Sequence, residues 1–297
     1  MRFFSLILLV SMTQLTLATD IHVDNLQGDD RNNGKSAAYD AGDAGPVRTI
    51  AKALRVSNKG DRIVLKNNGT PYRESITFQA RRNSGYPGSP FVFVGNGAVL
   101  DGSAFMMNRD WEHAVDDVYR FSPRLKSFQQ MFRDDKPLDK IDITSEDQLD
   151  QLKPLEWAMF DGNMYFRAEP GKGPGTYRLT YSGLTVGITL YDVRYLRIED
   201  LTVQGFQLDG INAHDNAVEV QLEKITSRGN GRSGISVGGS SRVEISDAVI
   251  GNNGNAQLRT EGYSTTKVKN TELFDTSAPA VDQQGGKLEI DGKPYAG

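Results

Sequence analysis

Gly187-Ile188-Thr189-Leu190, Gly210-Ile211-Asn212-Ala213, Gly234-Ile235-Ser236-Val237, Gln257-Leu258-Arg259-Thr260 and Ala280-Val281-Asp282-Gln283 are successive versions of one segment. From Ile188 through Ile211, Ile235 and Leu258 to Val281 the spacings are 23, 24, 23 and 23 residues. A second column keeps step at Ile198, Leu222, Ile245 and Val268, with Leu196, Val220, Val243 and Thr266 beside it. A third, Leu201, Ile225, Ala248 and Thr271, weakens toward the C-terminus. A constant period of this length is the mark of a stacked repeat. Within each repeat the apolar residues alternate, as in Ile211/Ala213 and Leu196/Ile198, which is strand periodicity. Arg228-Gly229-Asn230-Gly231 and Gly251-Asn252-Asn253-Gly254 separate the strands, and such residues accept the left-handed backbone of a sharp corner.

Short strands, sharp corners and a constant rung length predict a coil whose strands pair with the rungs above and below, about 4.8 Å away. A leucine-rich repeat has an overlapping period. Its L-x-x-L-x-L-x-x-N asparagine is missing here, and no rung has a helical return segment. The prediction is therefore all-β, a parallel β-helix with regular rungs over 184–291 and a short tail at 292–297. Toward the end the pattern fades. Gln283 replaces an inward apolar residue, and no capping helix follows Lys287-Leu288-Glu289-Ile290. The expectation is a short chain of this type, an assembly that covers the open end with a partner or by self-association, or a relative that has lost rungs.

Upstream, Val47, Ile50, Ala51 and Leu54 fit the stripe of an amphipathic helix over 46–57, with Pro46 and Gly60 as its punctuation. A helix placed there covers the open end of the coil. Strands are expected at Arg62–Leu65, Ser75–Phe78 and Phe91–Val94, giving an N-terminal cap and first coils over 19–102. The rhythm breaks at 103–183. Phe132-Arg133-Asp134-Asp135-Lys136-Pro137-Leu138 and Met159-Phe160-Asp161-Gly162-Asn163-Met164-Tyr165-Phe166 read as hairpins in a β-rich excursion. Trp111 and Trp157 both lie in it, as a satellite core or as sugar-stacking rings.

Arg2 precedes an apolar run from Phe3 to Val10, and Thr16-Leu17-Ala18 offers small residues for cleavage. This reads as a secretory signal over 1–18, so the expected location is secreted, periplasmic or extracellular. The run is too short to span a membrane, and no later segment approaches the required length. The chain has 34 basic against 38 acidic residues, which argues against a nucleic-acid partner. Cysteine is absent, so packing and hydrogen bonds hold the fold.

The run Val23-Asp24, Gly28-Asp29-Asp30, Gly34-Lys35-Ser36, Gly45-Pro46-Val47-Arg48-Thr49-Ile50-Ala51-Lys52-Ala53-Leu54, Gly60-Asp61-Arg62-Ile63-Val64-Leu65 and Pro71-Tyr72-Arg73-Glu74 resembles the opening block of exported right-handed parallel β-helix proteins of the pectate-lyase-like superfamily. Pro87-Gly88-Ser89-Pro90 and Val99-Leu100-Asp101-Gly102-Ser103 fit the same pattern. The resemblance implies a polysaccharide partner. That superfamily includes lyases of pectate, alginate and chondroitin, glycoside hydrolases, epimerases and non-catalytic surface proteins. The Gly-His-Gly and Arg-x-Lys elements of polygalacturonases do not appear in the rungs, nor does the Glu-x-Glu with lysine of calcium-dependent lyases.

Alternation places Thr189, Asn212, Ser236, Arg259 and Asp282 in one outward ladder, and Tyr191, His214, Gly238, Glu261 and Gln284 in the next. His214 is the only histidine among the rungs and exchanges protons near neutral pH. Tyr191, one rung away, is positioned to share acid–base work. Arg259 can neutralise a uronate carboxylate, the task that acidifies the C5 proton in elimination. Asn212, Ser236 and Glu261 are the expected sugar contacts. These residues predict β-elimination of an acidic polysaccharide. The same surface also suits a non-catalytic carbohydrate-binding protein, in which His214 is a plain surface residue and Arg259 pairs with Asp282. Asp192 and Asp215 are expected to stack about 5 Å apart, which suits a glycoside hydrolase, a Ca²⁺ site or plain solvated turns.

Overall fold

The computed structural model describes residues 18–295. The leader read at 1–18 lies outside them except for Ala18, as do the last two residues of the 292–297 tail.

Two sheets of stacked, mostly parallel strands make the body of the molecule. The front sheet contains β3 (Ile76–Gln79), β5 (Ile188–Tyr191), β7 (Asp209–Asp215), β9 (Ser233–Val237), β11 (Ala256–Thr260) and β13 (Val281–Gln283), neighbours in that order. The back sheet runs through β1 (Asp20–Val23), β2 (Arg62–Leu65), β4 (Phe91–Asp101), β6 (Arg194–Gln204), β8 (Val218–Arg228), β10 (Arg242–Ser246), β12 (Thr265–Lys269) and β14 (Lys287–Ile290). The repeat column is a physical ladder: Ile188 pairs with Ile211, Ile211 with Ile235, Ile235 with Leu258 and Leu258 with Val281. Leu196, Val220, Val243, Thr266 and Leu288 align likewise in the back sheet. Their inward side chains form one continuous buried core from Ile21 to Leu288.

Each rung turns at left-handed residues that also recur in columns. Asp200, Lys224, Asp247 and Asn270 (φ 54, 53, 52 and 44°) bend the back sheet. Gly205, Gly229 and Asn252 (φ 74, 62 and 56°) lead into the front sheet, and Asp192, Asn216, Gly239 and Gly262 (φ 50, 54, 60 and 66°) lead out of it. Inside the second corner Asn230 and Asn253 are fully buried, and the Asn230 Nδ2 donates to Asn253 Oδ1 at 3.0 Å. Stacked amides satisfy the backbone that a tight corner would otherwise leave unpaired.

The helix is shorter than expected. α1 covers Ile50–Val56, with Thr49 as N-cap accepting from the Lys52 amide. Val47 instead forms an extended bridge with Val23, because its amide is already engaged by the His22 carbonyl. Glu74 accepts from the Ile50 and Ala51 amides at 2.9 and 3.0 Å. α1 buries Ile50, Ala53 and Leu54 in the core and packs beside β1 and β3.

Between β4 and β5, both expected hairpins form. Met131–Arg133 pairs with Lys136–Pro137 around Asp134 and Asp135, and Trp157–Phe160 pairs with Asn163–Arg167 around Asp161 and Gly162, with all four turn residues at positive φ. Two adjacent positive φ values twist in the sense a two-residue hairpin needs. Trp157 is fully buried with its Nε1 donating to the Leu138 carbonyl, and half-buried Trp111 packs on Phe121 and Phe166. The tryptophans thus hold a satellite core. The segment leading into the first hairpin lies against the second corner, where Gln207 Nε2 donates to the Ser127 carbonyl at 2.6 Å.

Candidate active site on the front sheet

Residues facing away from the core on the front sheet form a strip in strand register. Thr77 aligns with Thr189, Thr189 with Asn212, Asn212 with Ser236, Ser236 with Arg259 and Arg259 with Asp282. Beside this ladder, His214, Gly238, Glu261 and Gln284 occupy successive rungs, since Ala213, Val237, Thr260 and Gln283 are paired or linked immediately before them.

One bulge changes the upper end. Asn212 pairs with Thr189, but Asp215 pairs with Tyr191, so β7 holds one residue more than β5 in this stretch. A bulge displaces everything beyond it by one position. Tyr191, 54% exposed, therefore sits opposite Asp215 and not beside His214 as expected. Asp192 falls level with Asn216, whose Nδ2 donates to Asp192 Oδ1 at 2.8 Å. The expected in-register Asp192/Asp215 stack does not form, although the Asp192 amide donates to the Asp215 carbonyl at 2.7 Å. Among the described residues no three His, Asp or Glu side chains gather as a metal site.

Across the glycine notch the side chains converge. His214 Nδ1 lies 2.8 Å from Glu261 Oε1, and its Nε2 lies 2.8 Å from Ser236 Oγ. A carboxylate only accepts, so the proton is on Nδ1 and the Nε2 lone pair takes the Ser236 hydroxyl. Gly238 lies between His214 and Glu261. A β-carbon there would come within 2.8 Å of His214 Nδ1 and 2.9 Å of Glu261 Cγ, so the bridge requires glycine. Glu261 Oε2 also pairs with Arg259 Nη2 at 2.7 Å. Arg259 reaches further to Asp282 at 3.6 Å and donates to Gln284 Oε1 at 2.9 Å. Ser236, expected to touch sugar, is instead fully buried, because the His214 ring occupies the space above its hydroxyl.

Two further contributors escaped the pattern reading. Asp209 is fully buried at the start of β7 and is paired with Arg232, which donates through Nη2 and, at 2.9 Å, through Nε. It also accepts from Ser233 Oγ at 2.5 Å and from Asn212 Nδ2 at 3.1 Å. Asp209 thereby holds Asn212 in place on the strip. Counting apolar periods passes over a polar residue at an inward position. The other is Tyr263, 91% exposed just past Glu261 and offering an uncovered aromatic face. It lies beyond the strand and outside either ladder.

Burial pushes the His214 pKa below its ordinary value, outweighing the attraction of Glu261 and Asp209, while Arg232 and Arg259 push the same way as burial. The folded ring thus resists a proton that the unfolded chain accepts near 6.5. Above that pH both states are neutral and the group adds no pH dependence. As pH falls through about 6.5 the unfolded state binds the proton first, so stability declines. Melting temperature measured against pH should fall on this limb in the native protein and less steeply in His214→Gln. Parallel curves would assign the limb to another group.

Residues 186–289 match the family model described as "right handed beta helix region". Among solved structures, one titled "glycoside hydrolase" superposes with a TM-score of 0.62 at 10% identity, covering 86% of this chain and 73% of that one. The pectate lyase Pel9A superposes with a TM-score of 0.52 at 13% identity, covering 93% of this chain. This chain spans 53% of the lyase, about half its length. No curated protein matches by sequence. At such identities the likeness is one of fold, and the fold is a right-handed β-helix.

Proposed function

We propose that this chain acts outside the cell on an acidic polysaccharide lying across the strands of the front sheet, cleaving it by β-elimination. The observation that carries the reading is the His214–Glu261–Arg259 cluster, closed over Gly238 within a solvent-facing strip of aligned polar side chains. Its context is a fold shared with a protein titled as a pectate lyase and another titled as a glycoside hydrolase.

In this reading the uronate carboxylate exchanges with Glu261 on Arg259, and the guanidinium stabilises the charge that develops as C5 loses its proton. Glu261 remains on Nδ1, so Nε2 is the basic atom of the His214 ring. As the ring swings together with Glu261 and leaves the Ser236 hydroxyl, that lone pair takes the C5 proton. C4–C5 becomes a double bond as the C4–O bond breaks, and the imidazolium formed returns the proton to the departing oxygen. Tyr191 and Tyr263 supply exposed rings for sugar faces along the same edge. The reading also takes α1 as a cap on the coil and leaves a calcium ion as a cofactor to be tested.

Incubation with pectate, alginate and glycosaminoglycans, with and without Ca²⁺, tests it through the ultraviolet absorbance of unsaturated uronate ends. Elimination predicts a rising signal on at least one of them. New reducing ends without unsaturation would replace it with hydrolysis. A second reading, binding without cleavage, is favoured by one observation: His214 Nε2 points at a fully buried hydroxyl and not at solvent. Glycan binding that survives His214→Ala, with no turnover on any substrate, would establish it.

A further inference from the structure

Beyond the upper end of the strip lies a groove of about 720 Å³ between the end of α1 and the turn after β3. Thr77 and Gln79 of β3 form its floor, and Arg55, Arg81 and Arg82 stand around it with exposed side chains. No acidic residue lines it. Among the described residues none of the three arginines forms an ion pair, although acidic residues outnumber basic ones in the chain. The cationic arginines of the His214 region differ in this respect: Arg232 and Arg259 are both paired with carboxylates.

Arg81 takes a left-handed backbone, as several turn residues of this chain do. Its φ of 72° lies in the left-handed region, where glycine is unstrained and a long side chain is not. Glycine at this position would relieve that backbone strain while removing the charge. Arg82 has a structural task, since its Nη1 donates to the Arg55 carbonyl in the last turn of α1. Arg55 and Arg81 have no such hydrogen bond from their guanidinium groups among the described residues.

The groove floor and the candidate site lie on one sheet. Thr77 pairs with Thr189 and Thr189 with Asn212, so two strand spacings, about 10 Å, separate its floor from Asn212. Arg259 lies two spacings further, about 19 Å from the groove. A polyanion laid across the strands meets unpaired positive charge at this end.

We propose that Arg55, Arg81 and Arg82 form an anion subsite that binds a carboxylate or sulfate of a glycan whose other residues reach the His214–Arg259 centre. This rests on the reading that the strip binds an acidic glycan, and it adds where the chain is anchored and by what charge. Length is the discriminating property, because only a long oligomer engages both places.

The test is calorimetric affinity for a galacturonate hexasaccharide, a galacturonate disaccharide, a sulfated hexasaccharide and a neutral cello-hexaose, at low and high salt. It compares the native chain with Arg81→Gly and with Arg55→Gln/Arg81→Gly. The double variant is expected to lose about tenfold in affinity for an anionic hexasaccharide, with a shallower salt dependence. Disaccharide affinity should stay unchanged. Comparing the two hexasaccharides tells carboxylate from sulfate. Arg81→Gly should leave the melting temperature unchanged or raised, which a structural role would not allow. Unchanged hexasaccharide affinity in the double variant, with the native chain binding it, would overturn the subsite and leave the proposed function standing. Failure of the native chain to bind any anionic oligosaccharide would overturn both.

Discussion

Gly238→Ala is expected to lower kcat/KM on an acidic glycan by on the order of a hundredfold, comparable to a displacement of catalytic groups by about 1 Å. The new methyl would take the space between His214 Nδ1 and Glu261 Cγ, which lie within 3 Å of its position. Gly238 is not among the positive-φ glycines, so alanine meets no backbone barrier. The crowded atoms belong to two side chains that keep 24% and 29% of their surface open to solvent and can swing outward. The melting temperature should therefore move little while turnover collapses, and the ring of His214 should lose its fixed tautomer. Turnover and a thermal melt on the same preparation check this. Full activity in the alanine variant would show that the bridge over the notch is not needed.

Asp209→Ala is expected to have the largest effect on stability. It leaves the Arg232 guanidinium, only 24% exposed, without its carboxylate, and removes the acceptor for Ser233 and Asn212. Breaking a buried pair from one side costs about 3–5 kcal/mol. For a chain of this size that corresponds to a fall in melting temperature of roughly 10 °C. The double variant Asp209→Ala/Arg232→Ala should recover part of the loss, because the stranded charge is gone. A single variant that melts within about 2 °C of the native protein would contradict the assignment of Asp209 as the anchor of the strip.

The rungs were legible because inward apolar side chains repeat at a nearly constant spacing, and a coil of paired strands permits little else. Ile188, Ile211, Ile235, Leu258 and Val281 stack as their spacing predicts. The outward ladder through Asn212, Ser236 and Arg259 was legible for the same reason. What escaped was local. The extra residue in β7 before Asp215 carries no glycine or proline to mark it, and it takes Tyr191 out of register with His214 and Asp192 out of register with Asp215. Lys224 adopts a left-handed corner that its residue type does not suggest, following the column set by Asp200 and Asp247. The closure of His214 onto Glu261 spans two rungs. Spacing alone shows the glycine between them and not that long side chains meet above it. The buried Asp209–Arg232 pair is invisible to any count of apolar periods, since its stability comes from mutual charge.

The claim underlying this account is that an acidic glycan engages the His214 ring on the front sheet. Long-range proton–nitrogen correlation of the histidine rings, recorded as a galacturonate hexasaccharide is added, reads this directly. Three histidines are present, His22, His113 and His214, and a His214→Gln sample assigns the third. The account predicts a proton on Nδ1 of His214 in the free protein, and a shift of its Nε2 resonance as sugar displaces Ser236. His22 and His113 should stay in place. Saturating binding of the hexasaccharide with an unmoved His214 ring would contradict it.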